Sequence, residues 1–451
     1  MELDIDRLKA EAQAITNSGL IARIDLTNVT PTRIGGYNAR PYSKELDLPE
    51  GLRTSEVKGI WRWWLRATLA GALWDLGKEP NKTTIRKMVN EILGYTASAS
   101  KFTITSSYAY SAAKKLDDLA KIPRMRLILM QRRDEPQDKF DIRSVEEKSL
   151  CPPGFLKATL SLYERAGKPL DWNIRRVAFG TLLLALLLHG IGAITRRGFG
   201  HFQLEVKECL DKLRDYSDSI KAVNEARRRD EMQEGLNGLF SEVLQDAKQS
   251  LLQRNMLTGL GPRPSRLPPF PSLSSDSRIF RLRIVDVKAS DETFLLEKLG
   301  KVAMKVGWKR SLGLNGGEVG GVLDTWILGL PREVRGTGYA SQAGRRPSAI
   351  TLAPVKKLQQ SFLVAIYGFL SSDWPIGGLQ WTRKTRGRVE THRVEDISGA
   401  SHLLTTLNRI RDDSVGKRIK ECVRQRGEAR IECAFNLAFG LIERQLTGSL
   451  P

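Results

Sequence analysis

Histidine is scarce in this 451-residue chain, which has only His189, His201, His392 and His402. No two stand at a spacing that pairs a proton donor with an acceptor, so acid–base cleavage chemistry has little to work with. Cysteine is equally rare. Cys151, Cys209, Cys422 and Cys433 form no CxxC pair and no zinc-finger spacing, and reduced thiols in a cytoplasmic protein are expected. The amino terminus, MELDIDRLKAEAQ, is acidic and polar with no signal-peptide apolar region. One run, Val177–Ile194, approaches a membrane span in length. His189, Thr181 and its glycines interrupt it, arginines flank it, and no second span accompanies it. A helix buried on all sides in a large domain is expected, and no membrane partner. Asp117-Asp118 and Asp412-Asp413 fall in polar helical stretches, where solvated faces are the default. No catalytic residue, metal or cofactor is assigned.

Positive charge is abundant. Lys and Arg number 72 against 51 Asp and Glu, a net charge of +21 with a pI near 9.9. Such an excess implies salt-sensitive attraction to polyanions without identifying which one. The most informative segment is Arg53–Ala67, RTSEVKGIWRWWLRA. Ser55 is a candidate N-cap and Glu56 suits the first turn. Lys58, Arg62 and Arg66 recur at i, i+4 and i+8 and so share one face, while Ile60, Trp61, Trp64 and Leu65 cover most of the rest, with Trp63 on the flank. A cationic stripe starting at a helix N-terminus suits a sugar–phosphate backbone. A core helix whose basic residues snorkel to water would give the same pattern.

The chain is too long for one ordinary core, so two domains are expected. Strands are predicted at 20–30, 101–110, 124–132, 154–163 and 201–206, with helices after the first and before the last. That order is the βαββαβ, ferredoxin-like layout with an enlarged middle hairpin. Residues 208–256 have helical period, and Arg227–Glu231 reads as a solvated face. Gly261–Ser277, with five prolines and four serines after Pro271, reads as an extended linker or lid. A strand at Ile279–Val287, a helix at Phe294–Gly307, the loop Gly313–Gly321, strands, and a helix near Leu358–Ser371 follow. The halves look like divergent copies of one module, ending in a helical tail at 398–446. The expected organisation is therefore α+β. It comprises a first module at 1–207, a helical insertion at 208–260, a Pro/Ser-rich linker at 261–278, and a second module with C-terminal helices at 279–451.

The loop Gly190–Gly200, GIGAITRRGFG, leaves a helix and enters a strand. Its glycines permit φ > 0 and close approach of a nucleic-acid backbone. Arg196 and Arg197 are candidate phosphate ligands, and Phe199 a candidate base-stacking residue. It is neither a Walker A nor a dinucleotide fingerprint. A helix C-cap with dipole-complementing arginines also explains it.

Together, the SEVKGIWRWWLRA helix and the RRGFG loop resemble the RAMP (repeat-associated mysterious protein) superfamily of CRISPR systems. Within it they are similar to the first-numbered Cmr subunits of type III-B effector complexes. The matching positions are Ser55, Val57, Lys58 and Gly59, then Arg62, Trp63, Trp64, Arg66 and Ala67, and Arg196, Arg197, Gly198, Phe199 and Gly200. Glu56 departs from the family's usual apolar or small residue. The GLP at Gly329–Pro331 and RRPSAI at Arg345–Ile350 resemble the family's C-terminal module. The likeness is strong over about 20–70 and 170–206, weaker over 279–370, and absent from 208–277 and the tail.

The resemblance implies tandem RRM-like RAMP modules and a non-catalytic subunit that contacts the 3′ part of the guide RNA, the target RNA, or both, among other RAMP subunits of a Cmr-type complex. On this reading Lys58, Arg62, Arg66, Arg196 and Arg197 form a basic cleft with Gly198, Phe199 and Gly200 beside the first sheet. Lys309, Arg310, Arg345 and Arg346 are the counterparts in the second module. The basic-aromatic stretch Trp374–Arg388 reads as a solvated hairpin or a further patch. The alternative is a RAMP-type, metal-independent endoribonuclease processing guide precursors, for which His201 is the one histidine near the cleft.

Overall fold

The computed structural model describes residues 19–32, 52–110, 151–165, 170–192, 195–253, 261–303, 308, 321–334, 337–385, 388–396, 405, 407–408, 410 and 413–448. The expected strand at 124–132, most of the loop at 313–321, Lys309, Arg310 and His402 lie outside them. The chain folds as mixed α and β structure with antiparallel sheets. Among the described residues no helix is long and apolar enough to cross a membrane.

The first half runs β1 (Leu20–Asn28), α1 (Thr54–Asp75), α2 (Lys82–Leu93), β2 (Phe102–Tyr110), β3 (Leu156–Glu164), α3 (Trp172–Leu184) and β4 (Phe202–Cys209). The strand order is β2-β3-β1-β4, antiparallel throughout. Period-2 alternation sets the faces: Ala22, Ile24 and Leu26 of β1 are buried under the helices while Arg23, Asp25 and Thr27 face outward. That outer face is mixed in charge, with Arg23 paired to Glu208 at 3.2 Å and Lys207 beside Glu205 and Asp25. α3 runs on as a π-helical turn, Ala185–His189, all but its last residue buried.

Two helices follow, α4 (Arg214–Glu225) and α5 (Arg229–Gln253). The charged run Arg227–Asp230 is exposed, as its composition suggests. The rest of α5 is not an appendage. Leu236, Leu239, Phe240 and Val243 join the core formed by α1 and α3. The proline-rich segment is extended, because proline cannot donate to a ladder, and it is stitched down along its length. Leu273 N donates to Ala67 O at 2.8 Å, Arg263 reaches Asp75 at 3.2 Å, and Leu267 N donates to Glu428 at 2.8 Å.

The second half contains β5 (Phe280–Lys288), α6 (Glu292–Val302), β6 (Arg332–Val334), β7 (Thr337–Ser341), β8 (Ile350–Lys357), β9 (Ser361–Phe369), β10 (Leu379–Thr385), β11 (Arg388–Arg393), α7 (Ser414–Arg424) and α8 (Gly427–Thr447). β5-β9-β8 form one sheet, in the relative order that β1-β3-β2 take in the first, and β11-β10-β7-β6 form a separate small sheet. One face of β5-β9-β8 closes the first core through Phe280, Ile284, Tyr367 and Phe369. The other, through Val285, Val287, Val364 and Ile366, carries a second core under α6 and α8. Inside that second core Arg430 donates to Asp324 at 2.8 Å, both fully buried.

Two expectations are corrected. Residues 358–371, read as a helix, contain the central strand β9. SFLVAIYGF is buried at nearly every position, and a strand covered on both faces loses the period-2 signal. Cys422 and Cys433, expected as free thiols, are joined in a disulfide, because α7 and α8 turn back on each other at Gln425-Arg426 and bring the two Cα atoms within 5.3 Å.

α1 is the central helix. Trp61 donates to Ala178 O at 2.8 Å, and Trp64 packs on Phe240, Tyr367 and Phe369 with ring centroids 5.7–6.3 Å apart. Trp64→Ala should therefore cost about 3–5 kcal/mol through cavity formation. A Cβ at Gly71 would lie 1.5 Å from Leu273 O, whereas one at Gly59 would meet nothing within 4 Å. Gly59→Ala should be neutral or stabilise by up to about 1 kcal/mol through helix propensity. Gly71→Ala should lower the melting temperature despite that gain. Thermal melts of the three variants check this, and equal effects at Gly59 and Gly71 would contradict the packing of the proline-rich strap.

Candidate nucleic-acid interface

After His189 the chain turns at Gly190, with φ of +72°, and closes a compact loop. Ile191 N donates to Gly200 O at 2.7 Å, and Gly200 N to Pro31 O at 2.9 Å. A Cβ at Gly200 would stand 2.0 Å from Ile191 O, so only glycine fits. His201 is fully buried and its Nε2 lies 3.0 Å from Thr195 O, holding the loop from inside. Glu56, in the first turn of α1, accepts from Gly192 N at 2.6 Å and ties helix to loop. Burial raises its pKa, while that hydrogen bond and Arg53 oppose the rise.

The arginine-bearing turn of this loop docks onto the second half of the chain. Arg196 Nη1 donates to Ser348 O at 2.6 Å, Leu352 N donates to Arg196 O at 3.3 Å, and Arg197 forms a parallel bridge with Leu352. Arg197 Nη2 donates to Leu328 O at 3.1 Å. A Cβ at Gly198 would lie 2.5 Å from a methyl of Leu299 in α6. The GLP and RRPSAI segments are themselves joined there, since Leu330 and Arg346 exchange backbone hydrogen bonds at 2.8 and 3.1 Å. Motifs separated by some 150 residues of sequence thus converge on one seam.

Along the seam lies a cleft of about 160 Å³ lined by Trp63, His189, Arg196, Arg346, Tyr367 and Trp374, among others. Arg346 pairs with Asp373 at 2.5 and 2.9 Å and stacks 4.3 Å above the Trp374 ring. The Trp63 ring stands 5.2 Å from that of Phe369 and 5.6 Å from that of His189. Tyr367 donates its hydroxyl to Leu188 O at 2.9 Å, and burial raises its pKa. Burial, then the charges of Arg196 and His201, pushes His189 down to about 3. Arg196 differs from Arg346: among the described residues no carboxylate pairs with it, and burial lowers its pKa. A half-buried guanidinium bonded to a neutral carbonyl leaves an uncompensated cation on one wall, facing aromatic rings. That combination suits a planar, anionic ligand.

The basic stripe of α1 is not part of this cleft. Arg62 turns to α2, donating to Asn90 Oδ1 at 3.2 Å and Leu93 O at 2.9 Å, where it satisfies the helix C-terminus. Lys58 is half-buried, and burial, then Arg165 and Arg62, lowers its pKa. Arg66 and Arg345 are exposed. The structure thus brings Arg196, Arg197, Gly198, Gly200 and Arg346 together and leaves Lys58, Arg62 and Arg66 outside the cleft, with Arg62 against α2. Phe199 is corrected: it is only 3% exposed and cannot stack on a base. Sequence reasoning left Trp63 on the flank of its helix and missed Asp373, His189 and Tyr367 as neighbours of the arginines. The signal for Trp63 was there, since it lies about 100° around the helix from the centre of the stripe.

The family model of the RAMP superfamily matches residues 25–203. No curated protein matches the chain. Among solved structures, the chain is similar to a chain of the type III-B Cmr-beta complex bound to cognate target RNA and AMPPnP in the presence of single-stranded DNA, with a TM-score of 0.54 and 14% identity over 94% of this chain and 100% of that one. It is also similar to a chain of Cmr-beta bound to cognate target RNA, with a TM-score of 0.50 and 15% identity over 78% and 94%. Cmr1 from Pyrococcus furiosus, in its apo form, aligns at 16% identity over 86% and 96%, with a TM-score of 0.47. At such identities the first two likenesses are of fold, and they extend over both halves of the chain. The match to the RAMP superfamily lies on residues 25–203, which hold the α1 helix and the arginine–glycine loop.

Proposed function

We propose that the protein is a non-catalytic RNA-binding subunit of a type III-B Cmr ribonucleoprotein effector in antiviral CRISPR defence. On this reading residues 1–207 and 279–451 are tandem ferredoxin-like RAMP modules, and the 3′ part of the guide RNA, the target RNA, or both cross the seam between them. The other partners are RAMP subunits of the same cytoplasmic complex. The observation that carries this reading is the Arg196 guanidinium, paired with no carboxylate among the described residues, in an aromatic cleft of a chain with a net charge of +21. Arg346 adds a second cation to the same wall, and the exposed Arg66 and Arg345 extend positive charge beyond it. The fold shared with chains of RNA-bound Cmr-beta structures supports the assignment.

The nuclease alternative needs a histidine able to exchange protons at a scissile phosphate. His201 has no surface to offer, its Nε2 is engaged with Thr195 O, and burial lowers its pKa to about 4. Its place in the structure is that of a loop anchor.

Binding to single-stranded RNA through about six phosphate contacts should give a slope of log K against log[salt] near −4, at about −0.7 per phosphate. Arg345→Ala with Arg66→Ala, which removes the two exposed cations beyond the cleft, should weaken binding by about 1–3 kcal/mol with little change in melting temperature. A slope near zero, or normal RNA binding in a badly destabilised double variant, would remove the proposal's electrostatic basis.

The buried histidines predict an acid limb of stability. His189 and His201 stay neutral in the folded protein, with pKa values lowered to about 3 and about 4, while the unfolded chain takes up protons below about 6.5. Their stabilisation is present above pH 6.5 and is lost as pH falls toward those folded values. Linkage gives a loss of about 2 kcal/mol per histidine between pH 7 and pH 5. In urea unfolding, His201→Gln should lose about 2 kcal/mol less than wild type over that interval. Equal losses would show that His201 titrates normally. Metal-free scission of labelled guide-precursor RNA by wild type, absent in His201→Gln, would hand the assignment to the nuclease.

A further inference from the structure

Beside β1, the first sheet has β4. Beside β5, which holds the corresponding place in the second sheet, no strand stands among the described residues. Ile284 sends its N–H away from β9, to Gln233 Oε1 on α5 at 2.9 Å. By the alternation of an antiparallel ladder, the backbone groups of Leu282 point the same way. Along this edge runs a groove of about 740 Å³, floored by Phe280–Arg283 and walled by α5 at Asn237 and Phe240 and by α8 at Asn436 and Phe439.

Two features describe what the groove takes. The first is charge. Arg281, Arg283 and Arg418 line it, with Glu443 the acidic side chain among its lining residues. A fourth cation, Lys248, is already engaged by Asp75 at 3.0 Å. Arg281 lies 5.4 Å above the Phe439 ring, and burial, then the charges of Arg283 and Arg418, lowers its pKa against the opposing charges of Glu432 and Glu443. The second is hydrogen bonding. The Oδ1 of Asn436 is buried with no partner, an acceptor beside a strand edge whose own groups point outward. An edge with no neighbouring strand among the described residues, its Ile284 N–H held only by a side chain, lies here between two helical walls, and that is the geometry of strand addition, in which main-chain bonds supply affinity and side-chain pockets supply selectivity.

We propose that this groove is a docking site for a partner protein, which adds a short extended segment bearing carboxylate side chains to the outer edge of β5. A nucleic acid would answer the positive charge, but its backbone has no row of alternating donors and acceptors to match a strand edge. The inference rests on the second sheet and its helical walls and is independent of the RNA reading of the seam.

The test uses the full chain and the blocked, fluorescein-labelled peptide TEVEVEVT, followed by fluorescence anisotropy. Gly440→Leu plugs the groove from α8 at a position where an added Cβ meets nothing within 4 Å, so the fold tolerates it. Arg283→Glu reverses an exposed charge at the floor. Thermal melts verify that both variants are folded. The wild type should bind with a Kd below about 100 µM. Each variant should weaken that affinity at least about tenfold, and so should replacing the peptide with TKVKVKVT or with TEVEPEVT, whose proline cannot donate to the ladder. Three results would overturn the proposal: no saturable binding of TEVEVEVT, binding indifferent to Gly440→Leu, or displacement of the peptide by octauridylate, which would assign the groove to RNA.

Discussion

The contact on which the rest depends is the hydrogen bond from Arg196 to the carbonyl of Ser348. It spans 152 residues of sequence, joins the superfamily's loop to the second half of the chain, and places a guanidinium where burial disfavours its charge. Such a cation is costly unless something anionic compensates it. Its neighbour Arg346 already has Asp373, and Arg197 is committed to Leu328 O. The geometry therefore stabilises the seam with the loop's backbone and one guanidinium nitrogen, and leaves the remainder of Arg196 as the electrostatic feature of the cleft. In the proposed function, structural and binding roles fall on the same residue, so motif residues of this kind are poorly described as either contacts or scaffold.

The seam is rigid because a sheet is shared. β5-β9-β8 presents Tyr367 and Phe369 to Trp64 on one side and Val364 and Ile366 to α8 on the other, so neither half has a core complete without the other. α5 fills the space between α3 and β5, and the proline-rich strap runs from α1 to α8 with its backbone bonded at both. These elements connect both walls of the cleft through shared packing and backbone bonds. A linker-joined pair of independent domains would leave it free to open.

Much of the first half was legible in the sequence. Alternation along β1 and β3, the α1 pattern and the glycine loop have local signatures, and each was found within a few residues of its place. What local pattern cannot carry is burial from the far side. SFLVAIYGF is apolar at nearly every position because two cores cover it, and a continuous apolar run does not distinguish strand from helix. Residues 208–260 read as a helical insertion with a solvated face at Arg227–Glu231, and the stripe of Leu236, Leu239 and Val243 that decides the position of α5 is set among more numerous polar residues. Cys422 and Cys433, eleven residues apart, become partners only when two helices fold back. At the candidate site the arginines were identified and their orientation was not. Arg62 and Phe199 turn inward because a helix end and a loop core needed filling, requirements set by residues distant in sequence.

The central claim is that RNA lies against the seam, next to Arg196 and Trp63. Photo-crosslinking with 4-thiouridine RNA, followed by mass spectrometry of the protein peptides, addresses it directly, because the crosslink reports position independently of affinity. The account predicts crosslinks on peptides that contain Trp63 and the Arg345–Ala349 segment, lost when Arg196 is replaced by alanine in a protein that still melts cooperatively. Crosslinks confined to α4 and α5, or unchanged without the Arg196 side chain, would contradict it.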